Sequence, residues 1–262
     1  MEVMTLNNKI EKLQHILREA GKYLLKQNVM IDCHKNKNDL LTQNDIDTET
    51  FLVKEITRFD PRANIISEEN YANNSLDGCC YVIDPIDGTC NYAAGLPLFG
   101  IQVAYFEYGE EQFSILHYPK SGDTLLAIKN RGSFWNGKLT FTQVGTSPSD
   151  GILLISDYYD NVKVPLDKQF KLVKALQPHF LKTRHFGAAC IDFSFLTKGI
   201  AAAYICYYSK IWDIAPGLLA ALESGCVCSS IDGSPYQFGN SGLVVANNRI
   251  TLQLILDKFA KL

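Results

Sequence analysis

Apolar and polar residues near the N-terminus alternate with the period of an α-helix. Six apolar positions step by three or four residues: Leu6, Ile10, Leu13, Leu17, Ala20 and Leu24. This spacing predicts a long first helix with one buried face. Residues 29–44 are polar and rich in lysine, which predicts a surface loop. A second helix is predicted around residues 44–58, with Leu52, Ile56 and Phe59 facing inward.

The pattern then changes to short apolar runs that predict β-strands. The sequences NIIS, at 64–67, and CYVID, at 80–84, are typical of short buried strands. Segments between residues 99 and 130 alternate or run apolar, with glycines and charges between them, and they predict an antiparallel meander. Asn136-Gly137 is typical of the tight turn of a β-hairpin.

Strand-like and helix-like segments alternate in the second half of the chain. Strands are predicted at 151–156, 200–206 and 242–247, and helices from Pro165, over 188–198, from Asp213 and over 248–260. Predicted strands and helices are grouped in separate blocks in the first half of the chain and alternate in the second half. This arrangement favours layered α/β structure. We expect one domain over residues 1–262, with a soft subdivision into 1–147 and 148–262.

Composition and charge narrow the range of functions. The chain has 47% apolar and 20% charged residues and a formal net charge of −3, with a pI near 6.0. These values, and the lack of a basic patch with interleaved aromatic residues, predict no binding to nucleic acid or to anionic membranes. No apolar run approaches the roughly 18–20 residues that span a bilayer. The N-terminal sequence lacks the pattern of a signal peptide, so we expect a cytoplasmic protein.

Eight cysteines raise the question of a metal or disulfide role. They are Cys33, Cys79, Cys80, Cys90, Cys190, Cys206, Cys226 and Cys228, and none forms a C-x-x-C pair. Most lie in apolar segments, so in a reducing compartment we interpret them as small core residues. A zinc or disulfide role is the alternative.

Acidic residues follow several apolar or aromatic stretches. They are Glu68-Glu69, Asp84, Asp87 and Asp213. Taken alone, the glutamate pair is typical of a solvated loop, the two central aspartates of a turn, and the last aspartate of a helix N-cap. Taken together they point to function, because the D-x-x-D-G-T pattern at 84–89 is rare by chance in a chain of this size.

If these carboxylates converge, their charges need compensation. Two like charges about 4 Å apart repel by roughly 4 kcal/mol at an effective dielectric of about 20. All-oxygen ligands suit Mg²⁺. Gly88 allows its backbone NH to approach a ligand closely, and the segment 88–95 can begin a short helix whose first NH groups suit a phosphate. The pattern therefore indicates a metal and phosphate site with the Thr89 hydroxyl beside it.

These motifs resemble the signatures of the inositol monophosphatase family. The matching stretches are residues 39–45 (DLLTQND), Glu68-Glu69, Asp84-Pro85-Ile86-Asp87-Gly88-Thr89 with Asn91-Tyr92, and Trp212-Asp213. Their order covers nearly the whole chain. The resemblance implies a five-layer αβαβα fold, Mg²⁺-dependent hydrolysis of phosphate monoesters, inhibition by Li⁺, and a homodimer.

The resemblance also implies a role for each matching residue. It assigns one Mg²⁺ to Glu68, Asp84 and the carbonyl of Ile86, and a second to Asp84, Asp87 and Asp213. A third, weaker ion would lie near Glu68, which would thereby take part in catalysis. Thr89, paired with Asp45, would position and help deprotonate the attacking water. The NH groups of Gly88 and Thr89 would bind the phosphate.

The substrate side has a matching turn and a departure. Gly187-Ala188-Ala189 resembles the turn that lines the substrate in the family, where Asp213 would also contact the substrate. Packing of a helix by small residues is the alternative for this turn. Inositol-specific members carry a glutamate seven residues before the aspartate of the Trp-Asp pair, and this chain has Cys206 there.

Cysteine is a poor acceptor for a sugar hydroxyl, which leaves the substrate open. Tyr207, Tyr208 or Ser209 are candidate replacements. Relatives hydrolyse fructose 1,6-bisphosphate, 3′-phosphoadenosine 5′-phosphate or NADP, and each of these is a candidate beside an inositol phosphate.

Two further alternatives stay open. Lys35 and Lys37 precede the 39–45 segment, and their loop either covers the third metal or is a solvated lysine-rich loop. The rival to an enzyme is a binding or regulatory protein that keeps the metal site as a sensor for phosphate ligands.

Overall fold

A computed structural model describes residues 4–27, 31–36, 39–70, 75–142, 147–160, 162–208, 210–239 and 242–262. Seven α-helices lie within these residues: α1 Leu6–Leu24, α2 Gln43–Phe59, α3 Thr89–Ala93, α4 Leu166–Leu176, α5 Ala189–Thr197, α6 Ile211–Glu223 and α7 Arg249–Ala260. Two short 3₁₀ turns span Pro148–Asp150 and Gln177–His179. The first helix begins where its apolar pattern begins, and the Thr5 side chain caps it by accepting a hydrogen bond from the NH of Asn8. None of the described helices is both long and apolar enough to cross a membrane.

A short antiparallel hairpin precedes the second helix. Its strands are β1, Ile31–Asn36, and β2, Asp39–Thr42. The predicted loop over residues 29–44 is therefore wrong where the structure describes this segment. A two-stranded ladder pairs its own backbone groups without a periodic apolar face, so the apolar pattern gave no sign of it. Lys37 and the side chain of Lys35 lie outside the described part of the chain.

The larger sheet contains seven strands in the order of the chain. They are β3 Asn64–Ser67, β4 Cys79–Asp87, β5 Gly100–Glu107, β6 Glu110–Tyr118, β7 Asp123–Ile128, β8 Gly132–Trp135 and β9 Lys138–Thr140. β3 is parallel to β4, and all later neighbours are antiparallel, which confirms the predicted meander. Asn136 and Gly137, between β8 and β9, have φ angles of 50° and 77°. Two positive angles are what the predicted tight turn requires.

The smaller sheet contains five strands in the order β11-β10-β12-β14-β13. They are β10 Ile152–Ile155, β11 Lys182–Arg184, β12 Ala201–Cys206, β13 Val227–Ser230 and β14 Leu243–Ala246. The three central strands were predicted from their apolar runs. The two edge strands, β11 and β13, were not, because they are short and carry mainly polar residues.

The apolar run in β4 is buried on both faces of the sheet. Tyr81 and Ile83 belong to the core formed with α1 and α2, whereas Cys80 and Val82 pack with Trp212 of α6 on the opposite face. Side chains alternate between the two faces of a strand, so a strand between two helical layers reads as continuously apolar. Full burial of each aliphatic side chain contributes about 1.5–3 kcal/mol to stability.

The elements stack in five layers. α1 and α2 cover one face of the seven-stranded sheet, α5 and α6 lie between the two sheets, and α4 and α7 cover the outer face of the five-stranded sheet. The expected αβαβα sandwich is therefore confirmed. The soft boundary predicted near 145–150 falls between the last strand of one sheet and the first of the other, and residues 143–146 lie outside the described part. The division into two halves stays a prediction.

The seven cysteines whose side chains the structure describes, which exclude Cys33, are free thiols. Cys80, Cys190, Cys206 and Cys226 are buried, as expected for small core residues, whereas Cys90 is exposed. Burial raises the pKa of the Cys226 thiol to about 11, which keeps it protonated at neutral pH.

A buried histidine joins α1 to the seven-stranded sheet. His117 of β6 is 4% exposed, and its Nδ1 lies 3.0 Å from the carbonyl oxygen of Asp123, so that nitrogen carries the proton and donates it. A β-carbon at Gly21 would lie 2.7 Å from His117 Nε2, so glycine allows the close contact with α1. Burial lowers the pKa of His117 and the charge of Arg18 lowers it further, against the hydrogen bond to Asp123.

We therefore expect the free energy of unfolding to decrease below about pH 6.5, the ordinary pKa of histidine. The unfolded chain then binds a proton that the folded chain excludes, so acid favours unfolding. Urea unfolding between pH 7.5 and 5.5 should show that wild-type protein loses more stability than His117→Gln, by up to about 1.4 kcal/mol per pH unit. Equal losses in the two proteins would show that His117 does not cause the acid sensitivity.

Candidate metal and phosphate site

The predicted acidic residues come from three different elements that meet at one place. Asp84 and Asp87 lie in β4, Glu68 follows β3, and Asp213 lies in the first turn of α6. The charges of the other three acids each raise the pKa of Asp84, so the four carboxylates lie within electrostatic reach of one another. The structure therefore brings together the acids that the motifs singled out.

A β-bulge lets two aspartates three residues apart share a site. Asp84 pairs with Gln102 of β5 and Asp87 pairs with Gly100, so three steps along β4 match two steps along β5. Without the extra residue, an odd spacing would place the two side chains on opposite faces of the sheet. Pro85 lies in the bulge, where a missing NH costs no regular ladder hydrogen bond.

Asp84 is the most deeply buried of the four acids whose surroundings the structure gives. It is 1% exposed. Its Oδ1 accepts a hydrogen bond from the NH of Ile86 at 3.1 Å, and its Oδ2 lies 3.4 Å from Gln102 Nε2. Burial raises its pKa well above the usual range, and the charges of Glu68, Asp87 and Asp213 raise it further. The site therefore holds negative charge only at a cost that a cation would remove.

Asp87 lies against the first turn of α5. Its Oδ1 accepts a hydrogen bond from the NH of Ala189 at 3.2 Å, and its Oδ2 accepts one from the NH of Cys190 at 2.5 Å. Burial raises the pKa of Asp87, although the Cys190 and Ala189 hydrogen bonds work in the other direction. A carboxylate has about four lone-pair positions, so these contacts leave room for a metal ion.

Asp213 occupies the third position of α6 rather than its cap. The helix begins at Ile211 after Lys210, and Asp213 Oδ2 accepts a hydrogen bond from the NH of Lys210 at 2.8 Å. The simple N-cap interpretation is thus wrong by three residues, because Lys210 is the N-cap. Burial and the charge of Glu68 raise the pKa of Asp213, with the Lys210 hydrogen bond opposing them.

Glu68 is half-buried, and a residue that the sequence did not single out holds its loop. Glu49 of α2 is fully buried. Its carboxylate accepts hydrogen bonds from Ser67 Oγ at 2.5 Å, from the NH of Glu69 at 2.9 Å and from Asn70 Nδ2 at 2.6 Å. Three donors on both sides of Glu68 fix the path of the loop. The sequence signal for the role of Glu49 was an acidic residue on the face of α2 that is predicted to be buried.

The expected pair of Thr89 and Asp45 is present. Thr89 Oγ1 lies 3.1 Å from Asp45 Oδ1 and 3.0 Å from the carbonyl oxygen of Ile86, and its single proton can be donated to one of them at a time. Asp45 is 1% exposed. Its Oδ2 accepts hydrogen bonds from the NH and the hydroxyl of Thr42, at 2.8 Å and 2.5 Å, which fix the carboxylate at the start of α2.

Gly88 joins the first turns of α3 and α5. Its φ is +89°, and a β-carbon there would lie 2.8 Å from Ala188 Cβ and 2.9 Å from the carbonyl oxygen of Leu98. Both the backbone angle and the close packing therefore require glycine. Asn91, three residues later, donates to the carbonyl oxygens of Leu98 and Phe186 and connects α3 to the segment before α5.

A small cavity lies beside these acids. Its volume is about 120 Å³, and its lining includes Asp87, Asp213 and the predicted turn Gly187, Ala188 and Ala189. The first NH groups of α5 already donate to Asp87. The turn therefore contributes to the cavity wall its small side chains and Gly187, whose φ is +66°.

Cys206 lies in the wall of the same cavity. Its Sγ is 3.2 Å from the carbonyl oxygen of Tyr208, to which it donates. Of the candidate replacements, Tyr208 lines the cavity, whereas Tyr207 is fully buried and its hydroxyl donates to the carbonyl of Gln169 at 3.2 Å. Ser209 lies outside the described residues.

The donor set suits a hard divalent cation. Among the described residues, no ion pair includes Asp84, Asp87 or Asp213. Their present hydrogen bonds turn them towards backbone NH groups, and no group of three or more His, Cys, Asp or Glu side chains in the described chain has metal-binding geometry. To share an ion, these oxygen donors would need small reorientations. That change would be favourable because a bound cation offsets the repulsion among the carboxylates.

A comparison with protein families decides the assignment. The model of the inositol monophosphatase family matches residues 5–262. The chain belongs to this family. It is therefore a phosphomonoesterase of a family of metal-dependent hydrolases, and the resemblance inferred from the motifs is confirmed.

Curated relatives carry several names. The chain is 27% identical over 238 residues to a fructose-1,6-bisphosphatase/inositol-1-monophosphatase of Thermotoga maritima, which covers 90% of each chain. It is 28% identical over 250 residues to the inositol-1-monophosphatase of Bacillus subtilis, which covers 93% of each. It is also 27% identical over 248 residues to the Nus factor SuhB of Pseudomonas aeruginosa, which covers 91% of each.

Solved structures share the fold over the full length. The Thermotoga maritima inositol monophosphatase has a TM-score of 0.87 and 25% identity, and the match covers 97% of both chains. An inositol monophosphatase/NADP phosphatase solved with Mg²⁺ and phosphate has a TM-score of 0.84 and 22% identity, covering 97% of this chain and 96% of that one. Members of the family thus bind Mg²⁺.

We expect Asp84→Asn to remove one of the mutually repelling buried charges. In EDTA the variant should unfold at a higher temperature than wild type, by about 2–4 °C for each kcal/mol of relieved repulsion. Millimolar Mg²⁺ should raise the melting temperature of wild type and of the surface variant Asp257→Asn, because a ligand that binds the folded state stabilises it. Calorimetry would contradict this account if Asp84→Asn gained as much stability from Mg²⁺ as wild type.

Proposed function

We propose that this protein uses Mg²⁺ to hydrolyse a phosphate monoester of a small polyol, sugar or nucleotide. The observation that carries the proposal is the Thr89–Asp45 hydrogen bond, 3.1 Å long, beside three acids that lack an ion-pair partner among the described residues. A metal-binding protein needs the acids, but only a hydrolase needs a hydroxyl coupled to a buried carboxylate next to them.

The metal would be held by the oxygen donors of three segments. The set consists of Glu68, Asp84, Asp87, Asp213 and the carbonyl of Ile86, for two to three ions per site. Bound Mg²⁺ would lower the pKa of a coordinated water and neutralise charge on the phosphoryl oxygens. Glu68 approaches from a loop fixed by Glu49, so its carboxylate is positioned before any ion arrives.

Thr89 and Asp45 would handle the proton of the attacking water. Thr89 Oγ1 would accept that proton while passing its own to Asp45 Oδ1, the acceptor already in place. The water oxygen then bonds to phosphorus as the bond from phosphorus to the ester oxygen breaks. The ester oxygen leaves with the bonding pair and takes a proton from water. The hydrogen bonds from Thr42 hold Asp45 in the orientation that this transfer needs.

Gly88 and the turn before α5 would hold the two ends of the substrate. The backbone NH groups of Gly88 and Thr89 would bind phosphoryl oxygens, since no side chain can stand between Gly88 and a ligand. The alcohol would lie in the cavity formed by Gly187, Ala188 and Ala189, with Asp213 at its edge. We also expect a homodimer, as the family resemblance implies, and a cytoplasmic protein.

The names of the relatives indicate other candidate functions. Fructose 1,6-bisphosphate, NADP and 3′-phosphoadenosine 5′-phosphate are alternative substrates within the same chemistry. A relative named as a Nus factor supports the second candidate, a regulator that binds phosphate ligands without turnover. Such a regulator has no need of the Thr89–Asp45 pair, so the hydrolase is the better supported of the two.

Asp87→Asn should lower turnover by orders of magnitude while the protein stays folded, because it removes one charge from the metal site. Phosphate release should be measured with Mg²⁺ from inositol, sugar and nucleotide phosphates, with Asp257→Asn as a matched surface control. Wild-type rates in a folded Asp87→Asn protein would refute the assigned role. Metal-dependent binding of these esters by wild type without any phosphate release would favour the regulator.

Lithium should inhibit the reaction. A monovalent ion that occupies a weakly held Mg²⁺ position supplies less charge there, so the leaving oxygen is less stabilised. Steady-state rates should fall over a millimolar Li⁺ titration at fixed Mg²⁺, and an equal titration with K⁺ controls for ionic strength. Unchanged rates in high millimolar Li⁺ would show that Li⁺ does not inhibit this protein.

A further inference from the structure

Asp192 is a buried carboxylate that the reaction described above does not use. It is the fourth residue of α5, and it lines the same cavity as Asp87 and Asp213. It is 1% exposed, and its Oδ1 has no hydrogen-bond partner. Its position in α5 is fixed by the helix, where its backbone NH donates to the carbonyl of Ala188 at 3.2 Å.

An unpaired buried carboxylate oxygen is costly and needs an explanation. Leaving a buried acceptor without a donor destabilises the folded state, and a charged group does so more strongly than a neutral one. Seven buried side-chain oxygens in the described residues lack a partner, and that of Asp192 alone among them lines this cavity. A ligand in this cavity could therefore supply a donor to the Asp192 carboxylate.

The electrostatic surroundings favour a neutral donor from the ligand. Burial raises the pKa of Asp192, and the charges of Asp87 and Asp157 raise it further. No described lysine or arginine forms an ion pair with it. A hydroxyl group can donate to either the ionised or the protonated carboxyl, since both forms keep free acceptor positions.

The wall also contains the exposed Asp157, the Ser156 hydroxyl and, from the metal site, Asp87 and Asp213. Asp192 is the buried carboxylate of the wall outside that metal site. The Cys206 thiol donates to the carbonyl of Tyr208. Tyr159 and Tyr208 also line the cavity, and their rings contact each other edge to face with centroids 5.6 Å apart. Their aromatic surfaces suit the carbon skeleton of a polyol, and they leave Asp192 as the buried acceptor for its hydroxyls.

The cavity is small. Its volume of about 120 Å³ compares with the roughly 300–1,000 Å³ of sites for drug-sized ligands. A leaving alcohol with a few carbons or a single ring matches this volume better than a nucleotide does. The cavity therefore can enclose a small alcohol of the class that the unpaired acceptor indicates, and a larger group would extend out of it.

We propose that Asp192 accepts a hydrogen bond from a hydroxyl of the leaving alcohol and thereby selects small polyol phosphates over esters that lack the hydroxyl. This inference rests on the proposed phosphatase function and names the substrate class within it. Asp192 is a specificity-determining residue here, because it contacts the alcohol and takes no part in the transfer of the phosphoryl group.

The test compares esters that differ only in their hydroxyls. Glycerol 2-phosphate and isopropyl phosphate share a carbon skeleton, as do inositol 1-phosphate and cyclohexyl phosphate. The measured quantity is the ratio of kcat/KM for the hydroxylated ester to that for its partner. Wild type should prefer the hydroxylated member of each pair.

Asp192→Leu keeps the size of the side chain but removes both acceptors, and Asp192→Ala serves as a second variant with no acceptor. In either variant the ratio should fall by about 10–100-fold, the loss typical of a hydrogen bond to a charged group. The loss should appear mainly as a higher KM for the hydroxylated ester. Asp192→Asn, which keeps one acceptor oxygen, should retain more of the preference.

Thr197→Val is the matched control, because Thr197 is a buried polar residue of the same helix and bonds to the carbonyl of Ser194. It should leave the ratio unchanged. A folded Asp192→Leu or Asp192→Ala protein with a ratio within about twofold of wild type would overturn the proposal, as would an equal fall in Thr197→Val. Phosphate release by wild type from sugar or nucleotide phosphates but from none of the four esters would overturn the proposal for Asp192 and not the phosphatase function. Release from no ester of any of these classes contradicts the proposed function itself, which separates the two failures.

Discussion

Repulsion among buried carboxylates is the interaction on which the rest of this structure depends. Burial and neighbouring charges raise the pKa values of Asp84, Asp87 and Asp213, and no ion pair in the described chain relieves them. A fold keeps such a cluster only where something offsets its cost. A divalent cation would do so, and the same cation would then provide the charge that phosphoryl transfer requires.

The fold holds this repulsive cluster mainly with backbone features, and the charge of Lys210 also acts to lower the pKa of Asp213. The bulge in β4 turns two aspartates to one side, and the first turns of α5 and α6 donate NH groups to Asp87 and Asp213. Helix N-termini favour negative charge, so these contacts reduce the cost of the carboxylates without neutralising them. Gly88 brings α3 against the same place, and Glu49 fixes the loop of Glu68 from behind.

The sequence predicted most of the fold, because apolar periodicity reports burial and each core strand or helix buries a face. It missed the β1–β2 hairpin and the edge strands β11 and β13, which are short and carry polar residues without a clear apolar alternation. The acids of the site were found because they end apolar runs. Gln102 and Asp192 were not, since their roles depend on neighbours in other segments. The sequence signal for Gln102 is a polar residue inside an apolar strand, in FGIQVAYF.

The most direct test of the account is a crystal structure of the protein with Mn²⁺, which replaces Mg²⁺ and scatters anomalously. We predict anomalous peaks at about 2.0–2.3 Å from oxygens of both Asp84 and Asp87, with Asp213 and the carbonyl of Ile86 among the ligands. Crystals soaked in Mn²⁺ that show no peak between these residues, with their carboxylates still bound to the NH groups of α5 and α6, would contradict it.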